Sequence, residues 1–313
     1  MISPATVRAT IAICTRNRAA TLARALESFC EQSVPEGIPW ELLVIDNGST
    51  DDTIETAAAF VGRLPLRIVA EPEPGLSAAR NRAVSEARGE YLLWIDDDAI
   101  PSPGWIAAYL AAFSAWPEAA VFGGRIELSF DGPPPDWLRR VLPVVGGVYG
   151  QRDLGREPIA LQPSVTELPF GGNYVTRTAE QRRFPYDTSL GRHPEHPTRG
   201  SEETEVLLSM LESGLAGRWV PTASVTHLQD LARATTSFIA ARIGAYGAYQ
   251  AMRYPPPGSR VVFGAPVALW WKCLRAWTRY GFGRLFRPPE WWIHQLVEAS
   301  ETSGAIRGLR QRR

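Results

Sequence analysis

The stretch LLWIDDDAIP, residues 92–101, joins four apolar residues directly to three adjacent carboxylates, Asp96, Asp97 and Asp98. An apolar run of this kind predicts a buried strand. Three carboxylates at its end lose hydration and repel one another unless a positive charge lies close by. A solvated turn is the alternative, but the strand is fully apolar and the next helix has its own Ser-Pro start at Ser102. The stretch therefore predicts a metal ion or a cationic ligand at the end of a buried strand.

The first 130 residues alternate between short apolar or β-branched runs and amphipathic runs. Strand patterns lie at 10–14, 41–45, 66–70 and 91–95. Helix patterns lie at 21–32, at 75–87 and from Ser102 onward, with Ser102 as the expected N-cap and Pro103 as the first helical residue. This alternation predicts an α/β fold in which helices flank a mostly parallel sheet.

Polar residues follow three of these predicted strands. Thr15 and Arg16 follow the first strand, Asp46 follows the second, and the aspartates follow the fourth. Ligands of such sheets bind beyond the carboxyl ends of the strands, so we expect these side chains to meet in one crevice. Taken singly, each has an ordinary explanation. Asp46 is then a helix cap or turn residue, and Arg80 in GLSAARNRA is a solvated residue of an amphipathic helix.

The ion expected at the aspartates is Mg²⁺ or Mn²⁺, because hard oxygen ligands without a nearby cysteine do not favour zinc. The spacing of an EF-hand is absent. Such an ion normally completes its shell with water and substrate phosphates, which predicts a phosphorylated small molecule as the ligand. The sequence lacks G-x-x-x-x-G-K-[ST], and it lacks G-x-G-x-x-G after the first strand. Both absences argue against ordinary NTP hydrolysis and dinucleotide redox chemistry.

Charge is unevenly distributed along the chain, although the formal net charge is zero. Residues 260–313 carry ten Arg or Lys against three Glu, and the rest of the chain carries 23 basic against 30 acidic residues. The three cysteines are too far apart to form a disulfide framework or a metal cluster. The first residues contain no apolar signal-peptide core. These features predict a cytoplasmic protein with a basic tail that contacts an anionic partner.

The basic C-terminal region is also rich in aromatic residues, as in LWWKCLRAWTRYGFGRLFRPPEWW, residues 269–292. The longest uncharged run of the tail, 261–271, is too short to cross a bilayer. Aromatic and basic side chains together suit an anionic membrane surface, which predicts peripheral binding at the inner face of the membrane. The alternative is a pair of helices with Trp in the core and Arg at the solvated edge. Helix packing of this kind is compatible with membrane binding.

Six motifs follow one another along the chain: CTRNR, LLVIDNGSTDDT, GLSAARNRAVSEARGEYLLWIDDD, GGNYVTR, GSEETE and ASVTH. Their order resembles the family 2 glycosyltransferases with the GT-A fold, and the resemblance covers about residues 8–230. It implies a GT-A nucleotide-sugar-binding and catalytic domain at 1–230. Residues 231–313 are then a helical, basic and aromatic-rich extension, with a loose likeness to bacterial polysaccharide-assembly members.

The resemblance implies transfer of a sugar from a nucleotide-diphosphate sugar, with inversion at the anomeric carbon and with Mn²⁺ or Mg²⁺ as cofactor. A UDP-sugar is the favoured donor, with GDP and dTDP left open. The implied acceptor is a hydroxyl of a saccharide or lipid-linked molecule, and no nucleic-acid partner is expected. The residues implied at the nucleotide sugar are Thr15, Arg16, Asp46, Arg80, Asp96 and Asp97. The implied metal ligands are Asp98, Asp96 and His227.

The resemblance also places the catalytic base at the second acidic residue of GSEETE, here Glu203, although the family commonly has Glu-Asp where this chain has Glu202-Glu203. The helical period supports the same residue. At about 100° per residue, Glu203 lies roughly 10° from the centre of the apolar stripe in 206–211, Glu202 lies about 110° away, and Glu205 is on the far side. We therefore expect Glu203 alone to face the protein, in the first turn of a helix from about Ser201.

Two other classes of protein are less consistent with the sequence. A nucleotidyltransferase usually has a Gly-rich loop with a nearby lysine, whereas the only lysine of this chain is Lys272. A non-catalytic nucleotide-sugar-binding protein is expected to lose the acidic motif or His227, and both are present. Sugar transfer is therefore the predicted function.

Overall fold

The structure is a computed structural model that describes residues 7–196, 200–255 and 260–311. These described residues divide into two compact units. The first comprises 7–129, 150–196 and 202–228, and the second comprises 130–149, 200–201, 229–255 and 260–311. The functional boundary expected at residue 230 stays a prediction.

The secondary structure alternates strand and helix through the first unit and is mainly helical in the second. The strands of the main sheet are β1 (Ala9–Thr15), β2 (Trp40–Asp46), β3 (Leu66–Ala70), β4 (Tyr91–Ile95), β5 (Ala99–Pro101), β6 (Ala119–Phe130), β7 (Asn173–Arg177) and β8 (Ala216–Gln229). The helices are α1 (Ala19–Cys30), α2 (Thr53–Ala58), α3 (Leu76–Glu86), α4 (Trp105–Ala115), α5 (Asp136–Val145), α6 (Thr178–Gln181), α7 (Glu202–Glu212), α8 (Thr236–Arg253), α9 (Val267–Phe286) and α10 (Pro289–Gln311). A short hairpin, β9 (Val261–Val262) and β10 (Ala265–Pro266), precedes α9.

The four strands predicted from the apolar runs form the parallel half of the main sheet. Strand β1 pairs in parallel with β2 and β4, and β2 pairs in parallel with β3. Because side chains alternate between the two faces of a strand, Leu93 joins one core with residues of α1 and α4. Its neighbour Leu92 joins a second core with residues of α3 and α7. The predicted α/β fold, with helices on both faces, is confirmed.

The sheet continues from β4 into antiparallel strands, and the strand order among the described residues is β3-β2-β1-β4-β7-β6-β8-β5. Two of the antiparallel registers set the positions of distant residues. Ile95 pairs with Asn173 on β7, and Ala99 pairs with His227 on β8. Since the three aspartates lie between Ile95 and Ala99, both β7 and β8 bring residues alongside them.

The second unit contains α8, α9 and α10, so the predicted helical character of the C-terminal region is confirmed. Helices α8 and α10 approach closely at glycines. A Cβ atom placed on Gly304 would lie 1.9 Å from the carbonyl oxygen of Gly244, and one on Gly308 would lie 2.5 Å from that of Ala248. These glycines are therefore required for the helix contact, because an added methyl group has no space there.

Candidate active site

The carboxyl ends of β1, β2 and β4 lie at one edge of the sheet, because these strands are parallel. Thr15 ends β1, Asp46 ends β2, and Asp96 directly follows β4. The side chains from two of these ends are in direct contact, since Thr15 Oγ1 donates a hydrogen bond of 2.7 Å to Asp97 Oδ2. The structure thus joins the polar residues of the first and fourth strands.

Asp96, Asp98 and His227 form a cluster in which one ligand atom of each lies within 4.8 Å of the others. His227 Nε2 is 3.0 Å from Asp98 Oδ1, a contact supported by the hydrogen bond from the Leu228 N–H to the Asp98 carbonyl at 2.8 Å. Asp98 is buried, whereas the Asp96 side chain is 33% exposed. Two carboxylates and an imidazole, one carboxylate being open to solvent, fit Mg²⁺ or Mn²⁺ with water and phosphate as the remaining ligands.

Arg18, in the loop before α1, supplies positive charge to the aspartates. Its Nη1 donates to Asp98 Oδ2 at 3.1 Å, and its Nε lies 3.9 Å from Asp97 Oδ1. Burial raises the pKa of Asp97 to about 7, and the charge of Arg18 compensates only in part. Burial also acts to raise the pKa of Asp98, but the hydrogen bond and charge of His227, with the charge of Arg18, hold that pKa well below its usual range. Asp98 is therefore ionised at neutral pH, while Asp97 is about half protonated there.

Burial and the contact with Asp98 also shift the pKa of the His227 imidazole, each in the direction opposite to its effect on Asp98. Burial lowers the pKa of His227, but the hydrogen bond to Asp98 and its charge outweigh burial, and the net pKa is raised. Gly150 lies against the other side of the ring, at a φ of +88°, and a Cβ atom there would lie 2.7 Å from His227 Nδ1. The ring is therefore held between Asp98 and a backbone position that favours glycine.

Arg80 is a buried cation that faces three carboxylates, so the solvated position that its helix pattern allowed is wrong. Its Nη1 donates to Glu202 Oε1 at 2.5 Å and lies 3.8 Å from Glu203 Oε2. Its Nη2 lies 3.9 Å from Asp96 Oδ1, and its guanidinium is 5.6 Å from the ring of Tyr186. Even without a charge on Glu202, one guanidinium cannot balance both Asp96 and Glu203, so the site keeps an excess of negative charge that favours a bound cation.

The expectation that Glu203 alone faces the protein is wrong, because Glu202 is the more buried of the two. The side chain of Glu202 is 4% exposed, and that of Glu203 is 19% exposed. Burial, followed by the charge of Glu203, raises the pKa of Glu202 to about 7 although Arg80 lowers it. Helix α7 buries residues on several sides, including Leu208. A single apolar stripe therefore does not describe it.

Two glycines bring backbone close to the charged groups. A Cβ atom on Gly171 would lie 2.9 Å from Arg80 Nη2 and 3.3 Å from Glu203 Oε1. A Cβ atom on Gly172 would lie 3.3 Å from Asp96 Oδ2. The segment before β7 therefore contacts both the candidate base and the candidate metal ligand, and larger residues would displace these side chains.

Asn173 directly follows these two glycines and is fully buried, and its side-chain hydrogen bonds hold the segment in place. Its Oδ1 accepts hydrogen bonds from Trp105 Nε1 at 2.9 Å and from the Tyr109 hydroxyl at 2.8 Å. Its Nδ2 donates to the carbonyl oxygens of Arg125 at 2.9 Å and Ala223 at 2.8 Å. The amide thus uses all four of its hydrogen-bonding positions to connect β7 with α4, β6 and β8.

Two further residues expected at the nucleotide sugar, Arg16 and Asp46, lie at the carboxyl ends of β1 and β2. Arg16 is exposed in the loop after β1. Asp46 is buried, and its carboxylate accepts a hydrogen bond from the Ser49 N–H at 3.2 Å. The neighbouring Asn17 has a φ of +52° and accepts from the Thr50 N–H at 2.7 Å, which ties the loop after β1 to the loop after β2.

Sequence reasoning missed Arg18, Glu202 and Asn173 as members of the site. Arg18 belongs to the CTRNR motif, two positions after Arg16, and Asn173 belongs to GGNYVTR. Their motifs were therefore visible, but the partners of these residues lie more than 45 positions away in the chain. Residue type and spacing carry no signal for such contacts.

Comparison with known proteins identifies the family of the chain. The chain matches the model of Glycosyl transferase family 2 over residues 10–166. It is 26% identical over 285 residues to a pre-mycofactocin glycosyltransferase of Mycobacterium tuberculosis, and the match covers 88% of this chain and 54% of that protein. The chain spans about half or less of the length of the curated relatives it matches.

Two solved structures are similar in fold. The mannosyltransferase PcManGT of Pyrobaculum calidifontis, in complex with GDP-Man and Mn²⁺, has a TM-score of 0.61 at 19% identity, over 98% of this chain and 88% of that chain. S. aureus TarS 1-349, in complex with UDP, has a TM-score of 0.52 at 14% identity, over 98% of this chain and 92% of that chain. Both are consistent with the GT-A fold. The family match covers half of the sequence, and the chain therefore belongs to glycosyl transferase family 2, which confirms the enzyme class predicted from its motifs.

Proposed function

We propose that the protein is an inverting glycosyltransferase that moves a sugar from a nucleotide-diphosphate sugar to a hydroxyl of a saccharide or lipid-linked acceptor. The observation that carries this proposal is the position of Arg80 between two groups with different chemistry. On one side, Asp96 belongs with Asp98 and His227 to the candidate metal cluster. On the other side, 3.8 Å from Arg80, Glu203 is a partly exposed carboxylate that can accept a proton.

Asp96, Asp98 and His227 are the residues that we propose to hold Mn²⁺ or Mg²⁺. When bound, such an ion supplies Lewis-acid stabilisation of the diphosphate leaving group. His227 keeps Asp98 ionised through its hydrogen bond, and the partly exposed carboxylate of Asp96 is accessible to a ligand. The Mn²⁺ in the complex of PcManGT, which has a similar fold, supports this assignment.

We favour UDP as the nucleotide of the donor, with Thr15, Arg16, Asp46 and Asp97 at the nucleotide sugar. Asp46 ends the strand next to β1, and its loop is linked to the Arg16 loop by Asn17. TarS carries UDP in its complex, whereas PcManGT carries GDP-Man, so the base has to be determined by comparing donors.

Glu203 is the proposed general base. Its side chain lies in the first turn of α7, where the helix dipole favours the ionised carboxylate. The carboxylate takes the proton of the acceptor hydroxyl while the hydroxyl oxygen bonds to the anomeric carbon. The bond from that carbon to the diphosphate oxygen breaks in the same displacement. Attack opposite the leaving group inverts the configuration of the sugar.

We further propose that the enzyme acts in the cytoplasm at the inner face of an anionic membrane, where lipid-linked acceptors are presented. Support comes from the charge of the C-terminal region, which has ten basic and three acidic residues between 260 and 313. Basic and aromatic residues together favour the interface of an anionic bilayer.

Release of sugar from a panel of UDP-, GDP- and dTDP-sugars in water tests the donor and the metal. We expect one donor to be hydrolysed with Mn²⁺ and hydrolysis to stop in EDTA. Asp98→Asn should weaken Mn²⁺-dependent donor binding. Glu203→Gln should leave donor binding intact and lower kcat for transfer by about 10²-fold or more, the usual scale for a general base. Glu212→Gln, at the exposed end of the same helix, is the matched control.

Each part of the proposal has its own contradicting result. Full activity in EDTA excludes the metal role. Near-normal kcat in Glu203→Gln, with loss in Glu202→Gln, moves the base to the neighbouring residue. A product that keeps the anomeric configuration of the donor excludes a single displacement. Donor binding without turnover of any donor indicates a non-catalytic nucleotide-sugar-binding protein instead.

A further inference from the structure

Helix α9 packs within the second unit through one narrow face. In the described part of the chain, Ala276 and Gly283 are its two buried residues. On the same face the ring of Tyr280 lies 6.0 Å from that of Trp292 on α10. A Cβ atom on Gly283 would lie 2.3 Å from the ring of Trp291, so this face is in tight contact with α10. The inner side of α9 is therefore fixed.

The opposite side of α9 is apolar and open to solvent. At about 100° per residue, four large apolar residues fall within about 80° of one another on the side opposite Ala276. They are Trp271, Leu274, Phe282 and Leu285, and their exposed fractions lie between 55% and 76%. Solvent-facing helix surfaces are normally polar, so an apolar stripe in this position indicates a binding surface.

Basic residues border this stripe. Arg275 and Arg279 lie on one side of it, with Lys272 further round towards the packed face. Arg284, whose guanidinium is 4.6 Å from the ring of Trp292, lies on the other side, and Arg287 follows the end of the helix. The segment 260–289 contains no acidic residue. The positive charge beside the stripe is therefore compensated only in part, by Glu298 of α10, which lies 3.8 Å from Arg275 and 3.9 Å from Lys272.

A second exposed apolar group precedes the helix. Phe263, at the tip of the β9–β10 hairpin, is 82% exposed and has a φ of +49°, a conformation that is unfavourable for an aromatic residue. Trp270 Nε1 donates to the Val262 carbonyl at 3.0 Å, which fixes the hairpin to the first turn of α9. A strained and exposed aromatic residue at a rigid tip is a feature of binding loops rather than of a packed core.

We propose that the α9 outer surface, formed by Trp271, Leu274, Phe282 and Leu285, docks on an anionic lipid bilayer. The apolar side chains enter the interface, and the bordering lysine and arginines contact lipid phosphates. None of the helices in the described residues is long and apolar enough to span a bilayer, so the contact is with one face of the membrane. Membrane docking deepens the proposed function, because a role of docking in bringing acceptors to the enzyme rests on sugar transfer. The docking itself does not require sugar transfer.

The charge distribution favours lipid over a second copy of the chain. In a symmetric dimer through this stripe, the basic residues of one copy would face those of the other and repel them. An anionic bilayer instead gains from the same charges, by about fivefold in affinity for each basic residue near its surface. The observed combination of exposed apolar and basic groups therefore matches the bilayer.

Flotation of the full chain with vesicles tests the surface. We expect the protein to float with vesicles of phosphatidylcholine and phosphatidylglycerol at low salt, and to float less at high salt or with phosphatidylcholine alone. Leu274→Ser with Leu285→Ser should abolish flotation. Arg279→Glu with Arg287→Glu should weaken it by at least about 25-fold. All four residues are exposed, and Leu274, Leu285 and Arg279 lie away from the packed face of α9. Arg287 lies 5.9 Å from the ring of Trp291, so Arg279→Glu alone is also tested, with an expected loss of at least about fivefold.

Matched controls replace exposed residues of the same types in the first unit. Val61→Ser removes an apolar residue that is 58% exposed, and Arg24→Glu reverses an exposed charge on α1. Both should float like the wild type. The proposal is overturned if the wild type stays at the bottom with anionic vesicles, or if the α9 variants float normally. Self-association of the wild type, lost in Leu274→Ser with Leu285→Ser and without flotation, assigns the surface to a second copy.

Donor hydrolysis in the absence of vesicles separates this inference from the proposed function. A chain that hydrolyses a donor but does not float contradicts the membrane surface alone. A chain that floats but consumes no donor contradicts sugar transfer alone. We expect the α9 variants to hydrolyse the donor at the wild-type rate, since none of the substituted residues belongs to the candidate site.

Discussion

Replacing Glu202 by Gln tests how the negative charge around Arg80 is distributed. Arg80 carries one positive charge and has carboxylate oxygens of Glu202, Glu203 and Asp96 at 2.5, 3.8 and 3.9 Å. In the described residues, the second oxygen of Glu202 is buried without a hydrogen-bond partner. An unpartnered buried carboxylate costs less when it is neutral. We therefore expect Glu202 to keep its proton near neutral pH in the metal-free protein.

The size of the effect follows from the pKa of Glu202. Burial and the charge of Glu203 raise this pKa from 4.5 to about 7, which corresponds to about 3 kcal/mol of folding free energy. Because the pKa of the folded state is the higher one, the contribution of Glu202 is fully present below pH 4.5 and is lost as the pH rises to about 7. Gln cannot ionise, so the stability of Glu202→Gln does not fall through ionisation at this position as the pH rises. The variant should gain about 3 kcal/mol relative to the wild type across this window.

Urea denaturation in EDTA, followed by tryptophan fluorescence, measures this difference at a series of pH values from below 4.5 to above 7. Trp94 lies 5.9 Å from the Arg80 guanidinium and reports on the surroundings of the site. Glu212→Gln is the control, because it removes an exposed carboxylate from the same helix. Its stability relative to the wild type should not change appreciably over the same range. Other groups that titrate in the wild type cancel when variants are compared at one pH.

The reasoning is refuted if the variant loses stability relative to the wild type as the pH rises. That result would mean that the contact with Arg80 dominates and that Glu202 is ionised in the folded protein. Breaking a buried ion pair of that kind costs about 3–5 kcal/mol. A difference that does not depend on pH would equally contradict a proton on Glu202.

Three further substitutions probe the support of the site and the packing of the second unit. Arg18→Gln should lower stability in EDTA by about 2 kcal/mol, because Asp98 loses its charged donor, and should raise Mn²⁺ affinity by about tenfold, because a competing cation is removed. Thermal shift with and without Mn²⁺ measures both effects, and an unchanged Mn²⁺ affinity would contradict the competition between Arg18 and the ion. Asn173→Ala should cost at least about 3 kcal/mol in chemical denaturation, because four buried partners lose their hydrogen bonds, whereas a cost below about 1 kcal/mol would show that they find other partners. Gly304→Ala should cost about 1–3 kcal/mol by forcing α8 and α10 apart, and the exposed Gly281→Ala on α9 should not destabilise the protein; equal melting temperatures would count against the close helix contact.

The parallel half of the sheet could be predicted because its signals are local. Runs at 10–14, 41–45, 66–70 and 91–95 correspond to β1 to β4, which occupy 9–15, 40–46, 66–70 and 91–95. Burial on both faces of a central strand requires a continuous apolar run, and such runs are visible in the sequence. The order of the strands then placed the polar residues that follow them at one edge of the sheet.

The start of α4 shows where local signals fail. The Ser-Pro pair predicted Ser102 as the N-cap, but the helix begins at Trp105, with Gly104 as its N-cap. Pro101 is still part of β5, and the Ser102 N–H donates to the carbonyl of Ser224 in β8 at 2.9 Å. A pairing with a strand more than a hundred residues later holds the chain extended, and the helix starts only after it ends.

The same cause limits what could be predicted of the site. His227 reaches Asp98 only because Ala99 pairs with His227 in the antiparallel register of β5 and β8. The residues alone did not identify this register, and only the motif order of the family suggested His227 as a ligand. Arg18 likewise contacts Asp98 through the packing of the loop before α1, which no periodicity describes.

Glu202 and Glu203 in α7 show that two predictions which agreed in the sequence have different outcomes in the structure. Motif position and helical period both selected Glu203, but the period argument assumed a helix with one buried face, and α7 is buried on several sides. Contacts from distant parts of the chain accompany the burial of Glu202: Arg80 on α3 contacts Glu202 directly and Glu203 at a greater distance, and Gly191 lies close to the Glu202 side chain. The case for Glu203 as the base now depends on its access to solvent and on a neutral Glu202. A neutral Glu202 adds no negative charge beside Glu203, so the charge of Arg80 would be shared by Asp96 and Glu203 alone. The pH dependence of the stability of Glu202→Gln therefore tests whether Glu202 is neutral, and the kcat of Glu203→Gln tests whether Glu203 is the base beside it.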